Sequence, residues 1–267
     1  MLMPLPRVSD LGEFRDRYLL RERAVVVTGA LAAMPASRWT PAYLTEVLGE
    51  QRPTVRLADG RLAYMRMRDF FRYFEAPTAG SSSKGSVYLK EFYIAPSFGD
   101  EARAKVAQDI RYPLVEAAEW PEWSRGHTGW NSLYIGPAAT GSSLHVDVFS
   151  TSTWLAQIAG LKAWRVCEPG AVTEEVAFKT DPFSGHPLPC DFYETVLGPG
   201  EVIYLPPNWW HAVENKTASI SVSGNVCTVE HARACLAAVQ SMEESSSRDV
   251  WLKTWTAVLE GRAPAPQ

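Results

Sequence analysis

The sequence contains little cysteine, and the cysteines it has are not paired. Cys167, Cys190, Cys227 and Cys235 are widely spaced and form no CxxC motif. A structural zinc site and a dense disulfide framework both require clustered cysteines, so neither is predicted. We interpret the four residues as reduced thiols.

Long apolar runs and an excess of positive charge are also lacking. No segment approaches the roughly 18 apolar residues that span a bilayer, and the N-terminal segment lacks the apolar run of a secretory signal. Lys+Arg 26 against Asp+Glu 30 gives a formal net charge of -4, which argues against a general electrostatic grip on nucleic acid. We therefore expect a soluble cytoplasmic protein with neither a membrane nor a nucleic-acid partner.

Length and composition predict a single globular domain over 1–267. The chain is 46% hydrophobic, which is enough to bury a sizeable core. A β barrel or sandwich of this length commonly forms one domain. We divide it into N-terminal helix and strand additions over 1–85, a β core over 86–228 and C-terminal helices over 229–267.

Local signals in the first third predict two helices and a hairpin. Ser9 or Asp10 can cap a helix that runs to about Arg21, and Thr40-Pro41 opens a second helix that ends at Gly49. Asp59-Gly60 lies between two runs of apolar and basic residues, which is a strong hairpin signal. The segment 76–85 is a flexible loop by composition.

From Ser86 onward, short strand-like runs alternate with Gly and Pro turns. The runs are SVYLKEFYI, NSLYIG, STWLAQIAG, KAWRVCEP, ETVLG, EVIYLPP and SISVSGNV. Such a series predicts a barrel or a double-sheet jelly roll. Apolar spacing in the tail predicts two helices around a break at 245–247. The predicted fold class is therefore mainly β with flanking helices.

One short motif is typical of a metal site. In GSSLHVD, His145 and Asp147 lie two residues apart on a predicted strand or its end, and residues two apart on a strand point to the same face. The two side chains can therefore converge as part of a 2-His-1-carboxylate site, which leaves iron open positions for a co-substrate and dioxygen. The third ligand must come from another segment.

The sequence favours His211 as the third ligand. His211 follows GPGEVIYLPPNWW, a turn, a buried strand and a Pro-Pro corner, and we expect it opposite the His145 strand at the mouth of a barrel. The remaining histidines, His127, His186 and His231, fall in loops or at the start of a surface helix. The alternative is that His211 is a hydrogen-bonded core residue.

The segments GSSLHVD, GLKAW and LPPNWWHAVEN, in that order, resemble the Jumonji-C branch of the cupin superfamily, particularly its small hydroxylases. The resemblance covers Val87 to Asn225. It implies a double-stranded β-helix (jelly-roll) core with iron(II) held by His145, Asp147 and His211. It also implies 2-oxoglutarate and dioxygen as co-substrates, hydroxylation of an unactivated C–H bond, and no catalytic side chain beyond the metal ligands.

The same resemblance implies a set of co-substrate contacts. Lys162, seventeen residues after His145, matches the family lysine that pairs with the distal carboxylate of 2-oxoglutarate, a buried charge that needs a positive partner. The other matching positions are Ser142, Tyr88, Asn225 and Asn215. Tyr93 competes with Tyr88, and Leu155 stands where some relatives carry asparagine. The alternative for Lys162 is a solvated residue in a hairpin turn.

Substrate and reaction outcome stay open at this point. The resemblance implies hydroxylation of an amino-acid side chain in a protein or peptide, or of a free or carrier-bound small molecule, and N-methyl demethylation uses the same chemistry. The alternatives are a non-catalytic metal-binding cupin module and a zinc hydrolase or isomerase with the same ligands.

Two further features concern the substrate and a possible second copy of the chain. We expect Trp120, Trp123, Trp130, Trp154, Trp209 and Trp210 either to form a substrate surface or to fill the core. The apolar stripe over 229–260 is compatible with a homodimer through the C-terminal helices, and equally with packing onto the barrel.

Overall fold

The computed structural model describes residues 1–57, 59–75, 87–94, 100–111, 114, 131–226 and 229–260. The predicted loop over 76–85 lies outside these residues, as do Trp120, Trp123 and Trp130.

Fourteen strands lie within the residues that the structure describes. In chain order they are β1 (Leu2–Pro4), β2 (Arg7–Val8), β3 (Val25–Val27), β4 (Thr54–Leu57), β5 (Leu62–Tyr64), β6 (Val87–Tyr93), β7 (Ser132–Gly136), β8 (Gly141–His145), β9 (Ser152–Ala159), β10 (Lys162–Cys167), β11 (Phe192–Leu197), β12 (Val202–Leu205), β13 (Trp210–Asn215) and β14 (Ser219–Val226).

Helices flank the strands at both ends of the chain. The α-helices are α1 (Leu11–Phe14), α2 (Pro41–Leu48), α3 (Met67–Glu75), α4 (Glu101–Gln108), α5 (Glu174–Lys179), α6 (Val229–Gln240) and α7 (Ser246–Leu259). A π-helix over Arg15–Leu19 continues α1, and 3-10 turns cover Pro35–Arg38 and Val148–Ser150. Within the described ranges, none of these helices has the length and apolar character that crossing a bilayer requires.

The described strands form two sheets, as a jelly roll requires. One sheet has the order β1-β11-β10-β13-β8, and the other has the order β2-β3-β12-β9-β14-β7-β6-β4-β5. Pairing is antiparallel except between β1 and β11 and between β2 and β3. Side chains from both sheets line one cavity, so that cavity lies between them. The predicted jelly-roll core with flanking helices is confirmed.

Apolar clusters join the helices to the sheets and the sheets to each other. The largest cluster packs the N-terminal helices against the longer sheet and includes Phe14, Leu44 and Phe70, all buried. A second cluster joins β10 to β12 through buried side chains such as Val166 and Ile203. Burying alternate strand residues in this way holds the two sheets face to face.

The two helix starts and the hairpin predicted in the N-terminal third are confirmed. The Asp10 side chain accepts a hydrogen bond from the Glu13 amide at 2.6 Å, and the Thr40 hydroxyl accepts one from the Tyr43 amide at 3.1 Å. Each cap satisfies an amide that the first helical turn would otherwise leave free. β4 and β5 pair antiparallel around Asp59-Gly60.

The two predicted C-terminal helices are present and pack beside the turn Val148–Ser150. Buried Cys235, Val239 and Trp255 form a cluster that includes the partly buried Phe149 of that turn. The Cys235 thiol also lies 3.6 Å from the Ser150 carbonyl oxygen. Apolar residues of the tail are therefore buried against each other and against this turn of the same chain.

Candidate active site

Two paired strands bring the three predicted metal ligands together. His145 ends β8 and lies directly beside His211 of β13 in the antiparallel register, while Asp147 immediately precedes the turn Val148–Ser150. The two imidazole centroids are 4.2 Å apart, and His211 Nε2 lies 4.0 Å from Asp147 Oδ2. One ligand atom from each residue lies within 4.8 Å of the other two. The expected position of His211 opposite the His145 strand is confirmed, because the two strands are neighbours in one sheet and His145 pairs with His211.

Both imidazoles are oriented by backbone carbonyls. His145 Nδ1 lies 2.7 Å from the Ser143 oxygen, and His211 Nδ1 lies 3.0 Å from the Trp209 oxygen. A ring that donates from Nδ1 presents the Nε2 lone pair to a metal. Burial lowers the pKa of both histidines, which favours the neutral form that can act as a ligand.

Asn225 supports the carboxylate of the group. Burial raises the pKa of Asp147, and a hydrogen bond from the Asn225 side chain opposes that rise. The Asn225 amide also donates to the Thr151 hydroxyl at 2.8 Å. A bound cation would further favour the ionised carboxylate. The donor set of two neutral imidazoles and one carboxylate suits a divalent transition metal.

A buried ammonium lies in the same cavity. Lys162 begins β10, is 0% exposed, and its Nζ makes no hydrogen bond with the residues that the structure describes. The centroid of the Tyr134 ring lies 5.8 Å from Nζ. Burial lowers the pKa of Lys162 to about 7. The alternative of a solvated turn residue was wrong, and an anion is the partner that this group requires.

Other buried donors point to a small acid as that anion. Among the described residues, the buried indole N–H of Trp164, two residues along β10, has no hydrogen-bond partner within the distance limit, and neither has the buried Tyr88 hydroxyl. Ser142 is the neighbour of Tyr88. These residues line one cavity of about 140 Å³ together with the three metal ligands. The residues present therefore fit a metal and a small dicarboxylate held next to each other.

The structure separates the remaining candidates. Asn215 does not line the cavity: its buried amide donates to the Thr140 hydroxyl at 3.0 Å and to the Gly136 oxygen at 3.3 Å, so it ties β13 to the turn after β7. This corrects the expectation of a co-substrate contact. Tyr93 does line the cavity, but it is 47% exposed, whereas Tyr88 is buried within it.

The tryptophans that the structure describes are mostly core residues. Trp154 and Trp209 are buried in apolar clusters, and Trp210 packs against a third, so the expected substrate surface is not formed by them. Of the described tryptophans, Trp164 lines the cavity, and its ring centroid lies 5.8 Å from that of His211 with the two planes 29° apart. Its two-residue spacing from Lys162 on a strand was the available signal, since it predicts a shared face.

The chain matches one family profile and is similar to several named proteins. The family profile described as a cupin-like domain matches residues 11–227. The chain is 29% identical to the arginine-specific demethylase JMJ22 of Arabidopsis thaliana, over 82% of this chain and 45% of that protein. It is 29% identical to the bifunctional arginine demethylase and lysyl-hydroxylase psr-1 of Caenorhabditis briggsae, over 85% of this chain and 62% of that protein.

A third relative carries the co-substrate in its name. The chain is 27% identical to the 2-oxoglutarate and iron-dependent oxygenase JMJD4 of Mus musculus, over 61% of this chain and 42% of that protein. The chain thus spans roughly half the length of the curated relatives it matches.

Proposed function

The chain belongs to the cupin-like domain family, and on that premise we propose that it is an iron(II)- and 2-oxoglutarate-dependent oxygenase that hydroxylates an amino-acid side chain of a protein. The observation that carries the proposal is the buried Lys162 ammonium in the same cavity as His145, Asp147 and His211. The names of the similar proteins, an oxygenase and a lysyl-hydroxylase among them, support the reaction and the protein substrate.

The metal would be held by His145, Asp147 and His211. The carbonyls of Ser143 and Trp209 keep each imidazole in the orientation that presents Nε2, so little reorganisation accompanies binding. Three protein ligands leave coordination positions for a co-substrate and for dioxygen.

2-Oxoglutarate would be held by the donors of the cavity wall. Lys162 supplies the positive charge for its distal carboxylate, and the hydroxyls of Tyr88 and Ser142 lie in the same wall. Because these groups are buried, the charge pair forms in a region of low dielectric constant, where it is stronger than in water. Asn225 acts indirectly, through Asp147.

When bound together, iron(II), 2-oxoglutarate and dioxygen supply an oxidant for unactivated C–H bonds, with succinate and carbon dioxide as the other products. The protein has to position the target carbon and exclude water. The apolar side chains of Leu155, Trp164 and Val213 line the cavity between its polar groups. They would exclude water from the reacting centre.

The alternative functions do not explain why Lys162 is buried. In a non-catalytic cupin module or a zinc hydrolase, the buried ammonium would be an uncompensated charge that destabilises the fold. N-methyl demethylation is different, because it uses the same cavity and the same co-substrate, and one similar protein is named for both reactions. Product mass separates the two: hydroxylation adds one oxygen atom, whereas demethylation removes a methyl group and releases formaldehyde.

The proposal is tested by succinate formation from 2-oxoglutarate in the presence of iron(II) and a peptide library. Wild type should form succinate together with an oxidised or demethylated peptide, and His211→Ala should form neither. His186→Ala, which alters an exposed loop histidine, is the matched control and should behave like wild type. Equal turnover by wild type and His211→Ala would refute the metal assignment.

The cytoplasmic location and the homodimer also remain proposals. Cys167, Cys190 and Cys235 are free thiols, which supports a reducing compartment. A dimer through the C-terminal helices would have to use surface other than the buried cluster around Trp255, and sedimentation velocity would measure it.

A further inference from the structure

Strand β6 is irregular where it passes the cavity. Its pairing with β7 shifts register between Leu89 and Phe92, and Glu91 has a φ of 59°, a conformation that a residue with a side chain adopts at an energetic cost. Bulges of this kind re-aim side chains beside active sites. Here the bulge turns Glu91 and Tyr93 toward the cavity that Lys90 also lines.

The bulge leaves a carboxylate at the exposed side of the cavity. The Glu91 side chain is 48% exposed, and its Oε1 lies 3.2 Å from the Nζ of Lys90. The Glu91 charge also acts on two tyrosines that line the cavity. Burial and, after it, the Glu91 carboxylate raise the pKa of Tyr134 and the pKa of Tyr93. Glu91 therefore faces the space through which a substrate side chain would approach.

Lys90 shows which chemical group this carboxylate accepts. Its ammonium occupies the position that a substrate ammonium or guanidinium would take. The Lys90 side chain is 24% exposed and the Glu91 side chain 48%, so the pair lies at the rim of the cavity, where an incoming cation can compete with Lys90 for the carboxylate. The half-exposed Tyr93 ring adds an aromatic face, which attracts cations.

We propose that Glu91, presented by the bulge in β6 and paired with Lys90, determines substrate specificity by binding the cationic end of a substrate side chain. The inference rests on the proposed function, because it concerns the substrate of that reaction. Lys90 then acts as an internal competitor, occupying Glu91 until a cationic substrate displaces it.

Peptide binding tests the proposal through two adjacent substitutions with opposite effects. The probes are a peptide with a central arginine and its citrulline counterpart, and a lysine peptide with its norleucine counterpart. Dissociation constants are measured on the full chain loaded with Mn(II) and 2-oxoglutarate without oxygen. Wild type should prefer the cationic member of at least one pair by about tenfold, or about 1.4 kcal/mol.

Glu91→Gln should abolish that preference, and Lys90→Met should increase it several-fold. Glu50→Gln removes another exposed carboxylate, one paired with Arg68, and should leave the preference unchanged. A merely structural role for the bulge would move both β6 variants in the same direction. The proposal would be overturned if both β6 variants changed the preference in the same direction. It would also be overturned if Glu91→Gln left the preference unchanged, or if wild type showed no preference for the cationic peptide.

Failure of the underlying function is recognised separately. Succinate formation by the wild type in the presence of iron(II) reports on the oxygenase itself. If succinate forms and the Glu91→Gln preference is unchanged, only the assignment of Glu91 fails. If wild type forms no succinate with any peptide, the oxygenase and the inference built on it both fail.

Discussion

At the scale of single residues, Lys162 combines an ionisable amine with complete burial. No hydrogen bond among the described residues compensates its ammonium, and an uncompensated buried charge destabilises a folded protein. The Trp164 indole N–H and the Tyr88 hydroxyl are also buried hydrogen-bond donors without a partner among the described residues. Such groups are expected where a polar ligand completes the site.

Replacing Lys162 with methionine should therefore stabilise the ligand-free protein and impair co-substrate binding. We expect the free energy of unfolding to rise by about 1–3 kcal/mol at pH 7, and the dissociation constant of 2-oxoglutarate to rise at least tenfold, about 1.4 kcal/mol. Urea denaturation and calorimetric titration measure the two quantities. Lys179→Met, at an exposed lysine, should change neither. A destabilised Lys162→Met protein with normal affinity would contradict the account.

The titration of Lys162 also predicts a pH dependence. Its pKa is lowered from 10.5 to about 7 in the folded protein, so between these values the unfolded chain binds more protons than the folded one. The free energy of unfolding should therefore rise with pH in that window and fall as pH drops toward 7. Lys162→Met should lose this contribution. Identical pH profiles for the two proteins would show that Lys162 is not buried as a free ammonium.

The two asparagines provide a matched pair. Asn225 hydrogen-bonds Asp147, so Asn225→Ala should weaken Mn(II) binding by about 10- to 100-fold, as loss of a group that orients a metal ligand does. Asn215 ties β13 to the turn after β7, so Asn215→Ala should lower stability by about 1–3 kcal/mol with little change in Mn(II) affinity. Metal titration and thermal unfolding of both variants measure the contrast. If Asn215→Ala weakened Mn(II) binding and Asn225→Ala lowered only stability, the two assignments would be wrong.

Residues differ in how far they could be predicted. His145 and Asp147 follow from spacing alone, because two residues on a strand share a face, and Lys162 followed from the family resemblance. Trp164 and Tyr134 were not identified, although Trp164 shares its face with Lys162. The sequence has ten tryptophans, and nothing in the composition separates Trp164, which lines the cavity, from the described tryptophans of the core.

At the scale of elements, the pairing of β8 with β13 sets the distance between the two histidines. The strands approach so closely that a Cβ at Gly141 would lie 1.9 Å from the Val213 carbonyl oxygen. Neither strand was among the seven runs recognised by composition, although the spacing of His145 and Asp147 was expected to lie on a strand or its end. β8 reads GSSLH, and glycine and serine lack the branched or aromatic side chains that mark a strand.

Gly141→Ala should therefore disturb the site without altering any ligand. The added methyl group must push β13 away, at a cost of about 1–3 kcal/mol in stability, and Mn(II) affinity should fall with it. At Gly198 the nearest atoms to an added methyl group would be 3.8 Å away, so Gly198→Ala is the control. Thermal unfolding and metal titration measure both. A Gly141→Ala protein with normal stability and affinity would show that the close approach is unimportant.

The bulge in β6 is an element that the sequence pattern did not reveal. SVYLKEFYI is rich in aromatic and β-branched residues, which predicts a strand, whereas the register shift is seen only in the pairing with β7. Since bulges depend on the partner strand, the orientation of Glu91 could not be derived from β6 by itself.

At the scale of the whole molecule, the C-terminal helices support the site from outside the barrel. Trp255, Val239 and Cys235 form a buried cluster with Phe149, and Phe149 lies two residues after Asp147. The turn that carries Phe149 has positive φ values at Phe149 and Ser150. Such strained conformations persist where the surrounding structure holds them, and the helices provide that support.

Trp255→Ala should therefore weaken metal binding as well as stability. Loss of a buried tryptophan costs about 3–5 kcal/mol, and release of the turn should reduce Mn(II) affinity through Asp147. Thr256→Ala, at the exposed neighbouring position, is the control. Chemical denaturation and metal titration give the two values. Reduced stability with unchanged affinity would mean that the helices and the metal site are independent.

The arrangement of the fold was predictable in outline and not in its contacts. Strand number and turn residues predict two sheets, since short strands separated by Gly and Pro need a closed or double-layered arrangement. The position of the C-terminal helices was not predictable, because an apolar stripe such as that around Val239 packs equally well on a barrel or on a second chain.

The most direct test of the account is an anaerobic titration of the protein with iron(II) and then 2-oxoglutarate, followed by visible absorbance. We expect a metal-to-ligand charge-transfer band to appear only when both are present. His211→Ala should never show it, and Lys162→Met should require at least ten times more 2-oxoglutarate, about 1.4 kcal/mol of lost interaction. A wild-type protein that binds iron(II) without developing the band at any 2-oxoglutarate concentration would contradict the proposed function.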